Sequence, residues 1–384
     1  MDTEVRRPIM LIFGTRPEAI KMAPVVLELA RSSVLYPVVA VTAQHRGMLD
    51  QVLDLFEIKP DYDLNIIQQR QSLAGVTIRA LEGLEPLMNV VTPDMVLVQG
   101  DTTTTFMGAL AAFYHQIPVG HLEAGLRTHE PYSPYPEEIN RQLTTRLTTL
   151  HFAPTRTSKA NLLAERVDES RVTVTGNTVI DALLWTLERG IDYGDPTLAR
   201  LDDDDRRVIL VTAHRRESWG PGMRSIGTAL GEIARAEPDV LIVFPIHKNP
   251  AVRESIEPVV KGLANVLLVE PLAYHAFAKL MGRSHIVLTD SGGIQEEAPS
   301  LGKPVLVMRD TSERPEAIEA GTVRLIGTDA AAISGAVRTL LHDDDAYAAM
   351  ANAVNPYGDG AAARRTVMAV EHFFGHGPAP DQFG

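Results

Sequence analysis

The chain has 384 residues, of which 45% are hydrophobic and 22% are charged, and its formal net charge at pH 7 is −13. This length favours two domains that each bury a core, and the composition excludes a disordered or fibrous protein. The negative charge disfavours binding to nucleic acid or to an anionic membrane surface, and the absence of cysteine excludes disulfides, thiolate metal sites and thiol catalysis.

A short apolar run at residues 9–13 opens the chain and ends at Gly14. It is too short for the apolar core of a signal peptide or for a membrane span, so we expect a cytoplasmic protein. Similar runs rich in valine, isoleucine and leucine are typical of buried strands. They recur at residues 38–41, 95–98, 172–174, 208–211, 241–244, 266–269, 286–288 and 305–307.

Stretches with helical spacing lie between these runs, at residues 19–30, 73–90, 222–236 and 274–281. The alternation of strand and helix predicts an α/β fold with parallel, doubly wound sheets. We expect a domain boundary after a helix at 178–189, where a segment containing glycine, proline and aspartate precedes a new strand. The acidic run 202–205 in that segment fits a solvated linker corner better than a metal site.

Clusters of polar residues follow several of the predicted strands directly. They are Gly14-Thr15-Arg16-Pro17-Glu18, Gly100-Asp101-Thr102, His121-Leu122-Glu123-Ala124-Gly125, His214-Arg215-Arg216-Glu217 and Asp290-Ser291-Gly292-Gly293. In open parallel sheets, ligands bind beyond the carboxyl ends of the strands. The clusters therefore predict one binding cleft between the two domains.

Two of these clusters suit a phosphate group. Small residues at Ser291, Gly292 and Gly293 let free helix N–H groups approach a diphosphate, although a capped helix start would have the same residues. The guanidinium of Arg16 suits phosphate oxygens, or it is an ordinary turn residue paired with Glu18.

Two charged residues that follow these clusters along the chain extend this interpretation. Lys21 faces the same cleft or the solvent. Glu297 is placed to accept hydrogen bonds from ribose hydroxyls.

Asp101, Glu123 and Glu137 are the candidate acid–base groups, because a carboxylate in a partly dry cleft can exchange a proton near neutrality. Each has a structural alternative: a helix cap, a turn residue and a first-turn acidic residue, respectively. His214 follows a strand and is expected to contact a diphosphate or a sugar, unless it is only structural, and His247 is a second such candidate. No histidine pair has zinc-binding spacing and no calcium loop is present, so we predict no essential metal.

Six ordered motifs together resemble the non-hydrolysing UDP-N-acetylglucosamine 2-epimerases. They are GTRPEAIK at 14–21, QGDTT at 99–103, EAGLRT at 123–128, HRRE at 214–217, TDSGGIQEE at 289–297 and TSERPE at 311–316. The resemblance extends from about residue 9 to about residue 374. It implies a fold of the GT-B glycosyltransferase type, with two Rossmann-like domains.

The resemblance also implies a domain plan and a reaction. The N-terminal domain would span residues 1–189 and the UDP-binding domain 190–359, followed by a helix at 360–374 that returns to the first domain and a frayed tail at 375–384. The implied reaction interconverts UDP-N-acetylglucosamine and UDP-N-acetylmannosamine. UDP leaves by anti elimination to give 2-acetamidoglucal and then adds back. No redox cofactor is required, and a homodimer is implied.

Site residues follow from the matched motifs. The resemblance assigns acid–base roles to Asp101, Glu123 and Glu137, and places His214 close to the diphosphate, with individual proton transfers left open. The residues expected to hold UDP are Arg16, Lys21, Phe277, Ser291, Gly292, Gly293, Glu297 and Arg314, with Phe277 near the uracil. Leu272 stands where some members carry a glutamine at the uracil pocket.

Some bacterial members also bind a second UDP-N-acetylglucosamine as an allosteric activator. The positions that match this second site are Gln44, His45, Arg70, Glu137, Arg215 and His247. Gly47 stands where activated members carry a glutamine, so one contact of that site is absent. The alternatives to epimerisation are a glycosyltransferase of the same fold, a hydrolysing epimerase that releases free N-acetylmannosamine, and a non-catalytic nucleotide sensor.

Overall fold

A computed structural model describes residues 6–43, 46–68 and 71–384 of the chain. The chain forms two compact units, one made of residues 1–182 with 357–384 and the other of residues 183–356. Among the described helices, none has the length and apolar character that a membrane crossing needs.

The first unit is built on a seven-stranded sheet. Its strands are β1 (Arg7–Phe13), β2 (Leu35–Val41), β3 (Tyr62–Asp63), β4 (Met95–Gln99), β5 (Val119–Leu122), β6 (Leu150–Ala153) and β7 (Val172–Val174). Its helices are α1 (Arg16–Arg31), α2 (Arg46–Leu55), α3 (Leu73–Val91), α4 (Thr103–Tyr114), α5 (Glu137–Leu147) and α6 (Arg156–Ala164). The boundary between the units falls within α7 (Thr178–Glu188).

The second unit is built on a six-stranded sheet. Its strands are β8 (Arg207–Thr212), β9 (Val240–Pro245), β10 (Val266–Val269), β11 (Ile286–Thr289), β12 (Val305–Val307) and β13 (Val323–Leu325). Its helices are α8 (Pro196–Ala199), α9 (Pro221–Ala236), α10 (Pro250–Val260), α11 (Tyr274–Arg283), α12 (Gly292–Glu297), α13 (Pro315–Glu319), α14 (Ala330–His342) and α15 (Asp344–Ala351). The last helix, α16 (Ala362–Phe373), belongs to the first unit.

Every described strand pair is parallel, which confirms the predicted α/β class. The strand orders are β3-β2-β1-β4-β5-β6-β7 and β10-β9-β8-β11-β12-β13. In both sheets the order reverses beside the first strand, between β1 and β4 and between β8 and β11. Ligands of doubly wound sheets bind at this reversal point, so it marks the place to look for a site in each unit.

Apolar burial explains the sheets. All five residues 9–13 of β1 are fully buried, and the apolar residues 208–211 of β8 are equally inaccessible. Such strands need cover on both faces, which the crossover helices supply. The nine apolar runs named above all lie within observed strands. The sequence missed β5 and β6, because His121 and His151 interrupt their apolar pattern, and it missed the short β3 and β13.

The last helix is fastened to the first unit by polar contacts. Asp181 accepts hydrogen bonds from the N–H groups of Ala362 and Ala363, at 3.3 and 2.8 Å, where α16 begins. At its other end, Ser32 after α1 donates to Glu371 at 2.6 Å. The terminal segment beyond α16 also carries contacts, since the N–H of Phe383 donates to the carbonyl of Val174 at 2.8 Å.

Candidate active site

Glu123 lies at the carboxyl end of β5 and gathers donors from three other segments of the first unit. Its carboxylate accepts two hydrogen bonds of 2.6 Å from Lys21 Nζ and one of 3.2 Å from Asn177 Nδ2. The Gln99 amide at the end of β4 donates to the same group. The Glu123 side chain is only 8% exposed, and its backbone has a φ of 60°, a strained value for a residue other than glycine.

Asp101 is held by α5. Arg141 contacts Asp101 Oδ2 with Nε at 2.9 Å and with Nη2 at 2.7 Å, while Asn140 Nδ2 donates to the Asp101 carbonyl at 2.8 Å. Neighbouring Gly100 is held from the other side, since its carbonyl accepts a 2.7 Å hydrogen bond from His121 Nε2. Burial lowers the pKa of His121 to about 4, so this imidazole is neutral.

The two adjacent glutamates at the start of α5 differ in their surroundings. Glu137 is partly exposed, and its side chain makes no hydrogen bond or ion pair with another described residue. Glu138 is fully buried and accepts hydrogen bonds from the N–H groups of Thr128 and His129 and from the side chains of Arg141 and Gln142. Burial raises the pKa of Glu138, but these hydrogen bonds outweigh burial and the pKa lies below its ordinary value. Glu138 is therefore an anchor, whereas Glu137 is available to a ligand.

Glu18 joins the loops that follow β1 and β4. Its Oε2 accepts from the N–H groups of Gly14 and Thr15, at 3.1 and 2.8 Å, and its Oε1 accepts from Thr102 Oγ1 at 2.6 Å and Thr105 Oγ1 at 3.2 Å. Burial raises the pKa of this carboxyl against the opposing effect of its hydrogen bonds. The alternative in which Arg16 pairs with Glu18 is wrong, because Glu18 is occupied by other donors.

Arg16 is a free cation in the first unit. Its side chain makes no hydrogen bond or ion pair with another residue that the structure describes. It begins α1 directly after the Gly14 turn, and that turn leads from the reversal point of the sheet. A guanidinium in this position is available to an anionic ligand.

In the second unit, Asp290 joins the loops after β11 and β8. Its Oδ2 accepts from the N–H groups of His214 and Arg215 at 2.7 and 2.8 Å, and His214 Nδ1 lies 3.0 Å from Oδ1. Burial raises the pKa of Asp290, but the hydrogen bonds and the charge of His214 outweigh burial and the pKa lies below its ordinary value. The sequence analysis named His214, which Asp290 contacts, and Ser291, which follows Asp290 in the chain, as site residues. It assigned no role to Asp290 itself.

Two arginines lie beside the start of α12. A Cβ atom built on Gly292 would lie 3.8 Å from the Arg215 guanidinium and 3.9 Å from that of Arg314, so both guanidinium groups lie next to this glycine. Arg314 also pairs with Glu296. The buried amide of Gln295 connects the loop after β11 with the loop after β12. It donates to the carbonyl of Ser291 at 3.1 Å and accepts from Ser312 at 2.6 Å. The second unit thus offers two guanidinium groups and small residues at one strand end.

The other predicted binding residues named here all belong to the second unit. Glu297 lies near Gly293, where a built Cβ would come 3.6 Å from its carboxylate. The ring of His247 stacks on that of His214 with 6.2 Å between ring centres. Phe277 lies in the first turn of α11, and Leu272 precedes that helix. The structure gives Phe277 no contact that tests its expected place beside uracil.

Three of the residues matched to an allosteric site, Gln44, His45 and Arg70, lie outside the described residues. Of the remaining members, Arg215 and His247 both lie after strands of the second sheet. A side chain at Gly47 would meet no atom within 4 Å, so the glycine is not required by local packing. Allosteric activation stays a prediction. The described part of the chain also holds no group of three or more acidic or histidine side chains arranged for a metal ion.

Comparison with known proteins decides the family. A model of the UDP-N-acetylglucosamine 2-epimerase family matches residues 27–371. The chain is 55% identical over 369 residues to the UDP-N-acetylglucosamine 2-epimerase of Yersinia pestis, covering 95% of this chain and 98% of that protein. The chain belongs to the UDP-N-acetylglucosamine 2-epimerase family.

Solved structures of this epimerase family share its architecture. The enzyme from Neisseria meningitidis, in a crystal structure with bound UDP-GlcNAc, is 51% identical with a TM-score of 0.84, over 96% of this chain and 100% of that one. The glycosyltransferase of kitacinnamycin matches 96% of this chain and 99% of its own, with a TM-score of 0.65 at 14% identity, which shows a likeness of fold alone. The prediction of two Rossmann-like domains of the GT-B type is confirmed.

We predict that Asp290→Asn lowers the melting temperature at pH 7 and weakens UDP binding, because the amide carries no negative charge and has only one oxygen, which cannot serve both the two backbone N–H groups and His214 Nδ1. The folded-state pKa of Asp290 lies below the ordinary 3.8, so its stabilisation is present above that value and is lost as the pH falls towards the folded-state pKa. The difference in melting temperature should therefore shrink as the pH is lowered from about 7 to about 3.

Exposed Asp239 supplies the control, since Asp239→Asn removes the same charge from the same unit without removing a hydrogen bond that the structure describes. Equal melting temperatures for Asp290→Asn and Asp239→Asn at pH 7 would contradict the role of Asp290.

Proposed function

We propose that this chain catalyses the reversible epimerisation of UDP-N-acetylglucosamine at C2, giving UDP-N-acetylmannosamine, without net hydrolysis. The observation that carries the proposal is the family match over residues 27–371. It is supported by the Neisseria meningitidis relative, which is bound to UDP-GlcNAc. We also expect the enzyme to act in the cytoplasm, as the sequence predicts.

The proposed reaction is an elimination followed by an addition. The C2 proton passes to a carboxylate of the enzyme, and the electron pair of the C2–H bond forms a C1=C2 double bond. The C1–O bond breaks, and the electron pair of that bond leaves with UDP. The product of this step is 2-acetamidoglucal. UDP then re-forms the C1–O bond as a proton is delivered to the opposite face of C2. The sequence is redox-neutral, so it needs no redox cofactor.

The first unit supplies candidates for the proton transfers. Asp101, Glu123 and Glu137 follow or neighbour the strand ends of one sheet, and general acid–base catalysis needs such groups within reach of the transferred proton. Asp101 and Glu123 are surrounded by cationic and amide donors, whereas the Glu137 side chain has no described partner. This difference in surroundings supports different duties for the three carboxyl groups.

The second unit supplies candidates for binding UDP. Arg215 and Arg314 lie beside Gly292, and His214 is fixed by Asp290 at the adjacent strand end. Charge develops on the leaving diphosphate as the C1–O bond breaks, so cations at this position would stabilise the transition state.

We propose that the residues of each unit take part in binding or converting UDP-N-acetylglucosamine. Arg16 and Lys21 would complete the charged contacts, Glu297 would bind the ribose, and Phe277 would lie near the uracil.

The products distinguish this proposal from its rivals. Incubation with UDP-N-acetylglucosamine, followed by proton and phosphorus NMR, should give a stable mixture of two intact sugar nucleotides. Accumulation of UDP with free N-acetylmannosamine would instead establish a hydrolysing enzyme. Transfer of the sugar to an added alcohol would establish a glycosyltransferase, and binding without turnover would establish a sensor.

The carboxylates are tested by Asp101→Asn, Glu123→Gln and Glu137→Gln. Each should lower kcat by about 100- to 10,000-fold, as expected for loss of a general acid or base, with the Kd for UDP changed less than about threefold. Calorimetric titration with UDP and steady-state kinetics measure the two quantities. Exposed Glu82 gives the control variant Glu82→Gln, which should keep wild-type kcat. A variant of the three that also keeps wild-type kcat is thereby removed from the acid–base set.

We also propose that the chain forms a homodimer. Helices α3 and α4 both cross over between parallel strands, so they run in the same direction and their C-terminal ends lie at the same edge of the sheet. Val90, Phe113 and Tyr114 at these ends are 69%, 54% and 61% exposed. Exposed apolar side chains grouped in this way are typical of protein contacts.

Light scattering in solution should therefore give a mass of twice the 41.9 kDa chain. Phe113→Glu should shift that mass to the monomer, because it introduces a charge into the contact. The partly exposed Ile318 of the second unit serves as a control through Ile318→Glu. A monomeric wild-type protein would refute the dimer.

A further inference from the structure

Arg141 on α5 bridges two carboxylates, Asp101 in the loop after β4 and Glu138 one turn earlier on α5 itself. Its Nε and Nη2 lie 2.9 and 2.7 Å from Asp101 Oδ2, and its Nη1 donates to Glu138 Oε2 at 3.1 Å. The Arg141 side chain is 14% exposed, so little water competes for these contacts. A guanidinium can make such a set of bonds because its N–H groups point outward from one rigid plane.

The contacts leave Asp101 with one occupied and one unoccupied oxygen. Both contacts from Arg141 reach Oδ2, and no hydrogen bond from a described residue reaches Oδ1. The backbone of Asp101 is fixed at the same time by Asn140, and that of Gly100 by His121. With its main chain and one oxygen held, the remaining oxygen has a defined direction.

Glu138 holds Arg141 from the other side. This glutamate is fully buried, and it also accepts the N–H groups of Thr128 and His129 in the loop between β5 and α5. Burial raises the pKa of Glu138, but its hydrogen bonds outweigh burial and keep the pKa below the ordinary value, so Glu138 stays ionised at neutral pH and supplies a counter-charge to Arg141. Movement of Arg141 away from this position would therefore also break its ion pair with a buried carboxylate.

The helix that carries Arg141 also carries Glu137. The two residues are four positions apart, which places them on the same face of α5. An i,i+4 pair of this kind often forms an ion pair, yet here the guanidinium contacts Asp101 and Glu138 instead. One helix thus fixes Asp101 through Arg141 and presents Glu137 one turn earlier.

We propose that Arg141 is a positioning residue, whose guanidinium holds Asp101 Oδ2 so that Oδ1 faces the reacting sugar. The proposal rests on the proposed epimerase activity. Arg141 itself neither takes nor gives a proton. Its effect is to keep Asp101 in one orientation, and misplacement of a catalytic group by about 1 Å can cost about 100-fold in rate.

The experiment compares Arg141→Ala, Arg141→Lys and the control Arg146→Ala. Arg146 lies on the same helix, is exposed and contacts only the carbonyl of Glu165 among the described residues. The Arg141→Ala variant should lose about 100-fold in kcat with little change in KM or in the Kd for UDP. Arg141→Lys should be intermediate, because an ammonium cannot reproduce the planar fork. Arg146→Ala should keep wild-type kcat.

Chemical rescue separates positioning from a purely structural role. Guanidinium chloride, at concentrations too low to unfold the protein, should restore part of the kcat of Arg141→Ala, whereas sodium chloride at the same ionic strength should not. Circular dichroism and thermal unfolding establish the folded fraction of each variant. A structural role predicts a loss of activity that follows the folded fraction and is not restored by guanidinium.

Three outcomes overturn the proposal: wild-type kcat in folded Arg141→Ala, a loss of kcat explained by unfolding alone, or no rescue of the folded variant. If Arg141→Ala does not fold, Arg141→Lys decides, and wild-type kcat in that variant refutes the need for the guanidinium fork. An inactive wild-type protein would instead refute the proposed function, so the two failures are distinguishable.

Discussion

In each sheet, one buried carboxylate connects the two loops at the point where the strand order reverses. Glu18 accepts hydrogen bonds from the loop after β1 and from threonine hydroxyls after β4. Asp290, after β11, accepts the backbone N–H groups of the loop after β8. Parallel strands end together at this edge, and their loops need buried hydrogen-bond partners. The same carboxylates therefore supply buried hydrogen-bond partners for these loops. They also fix the backbone segments that carry Arg16, Asp101 and His214.

The two units place different chemistry around this shared arrangement. The first unit surrounds carboxylates with donors, so that Glu123 contacts Lys21 and Asp101 contacts Arg141. The second unit sets Arg215 and Arg314 beside a glycine. A chain with a net charge of −13 thus concentrates cations locally, at the strand ends where an anionic nucleotide would need them. Carboxylates in the first unit and arginines in the second match the proposed reaction, which needs proton transfer at a sugar and stabilisation of a leaving diphosphate.

The sequence predicted the sheets well, because fully buried strands such as β1 and β8 are continuous apolar runs. It failed at β5 and β6, where His121 and His151 are buried as neutral imidazoles that no hydrophobic pattern reveals. Burial lowers the pKa of His151 to about 3, as it lowers that of His121. Position shortly after a predicted strand found Arg16 and Asp101, and the polar cluster around Glu123 found that residue although β5 before it was missed.

Residues whose roles arise from tertiary contacts could not be found in this way. Gln99 ends a strand with an amide, and Asn177 follows β7 without an unusual motif, yet both donate to Glu123. Arg141 lies within a helix, where an arginine is expected to be solvated. Glu137 and Glu138 are identical in residue type, and only the structure shows that Glu138 is the buried one. The position of residues after predicted strands locates a site, whereas tertiary contacts determine which side chains take part in it.

The most direct test of the account is turnover of UDP-N-acetylglucosamine in deuterium oxide, followed by proton NMR of the recovered sugar nucleotides. If enzyme carboxylates remove and return the C2 proton, deuterium should appear at C2 of UDP-N-acetylmannosamine as it forms and at C2 of the recovered UDP-N-acetylglucosamine. Formation of the epimer with hydrogen retained at C2, or no exchange with fully folded enzyme, would contradict the account.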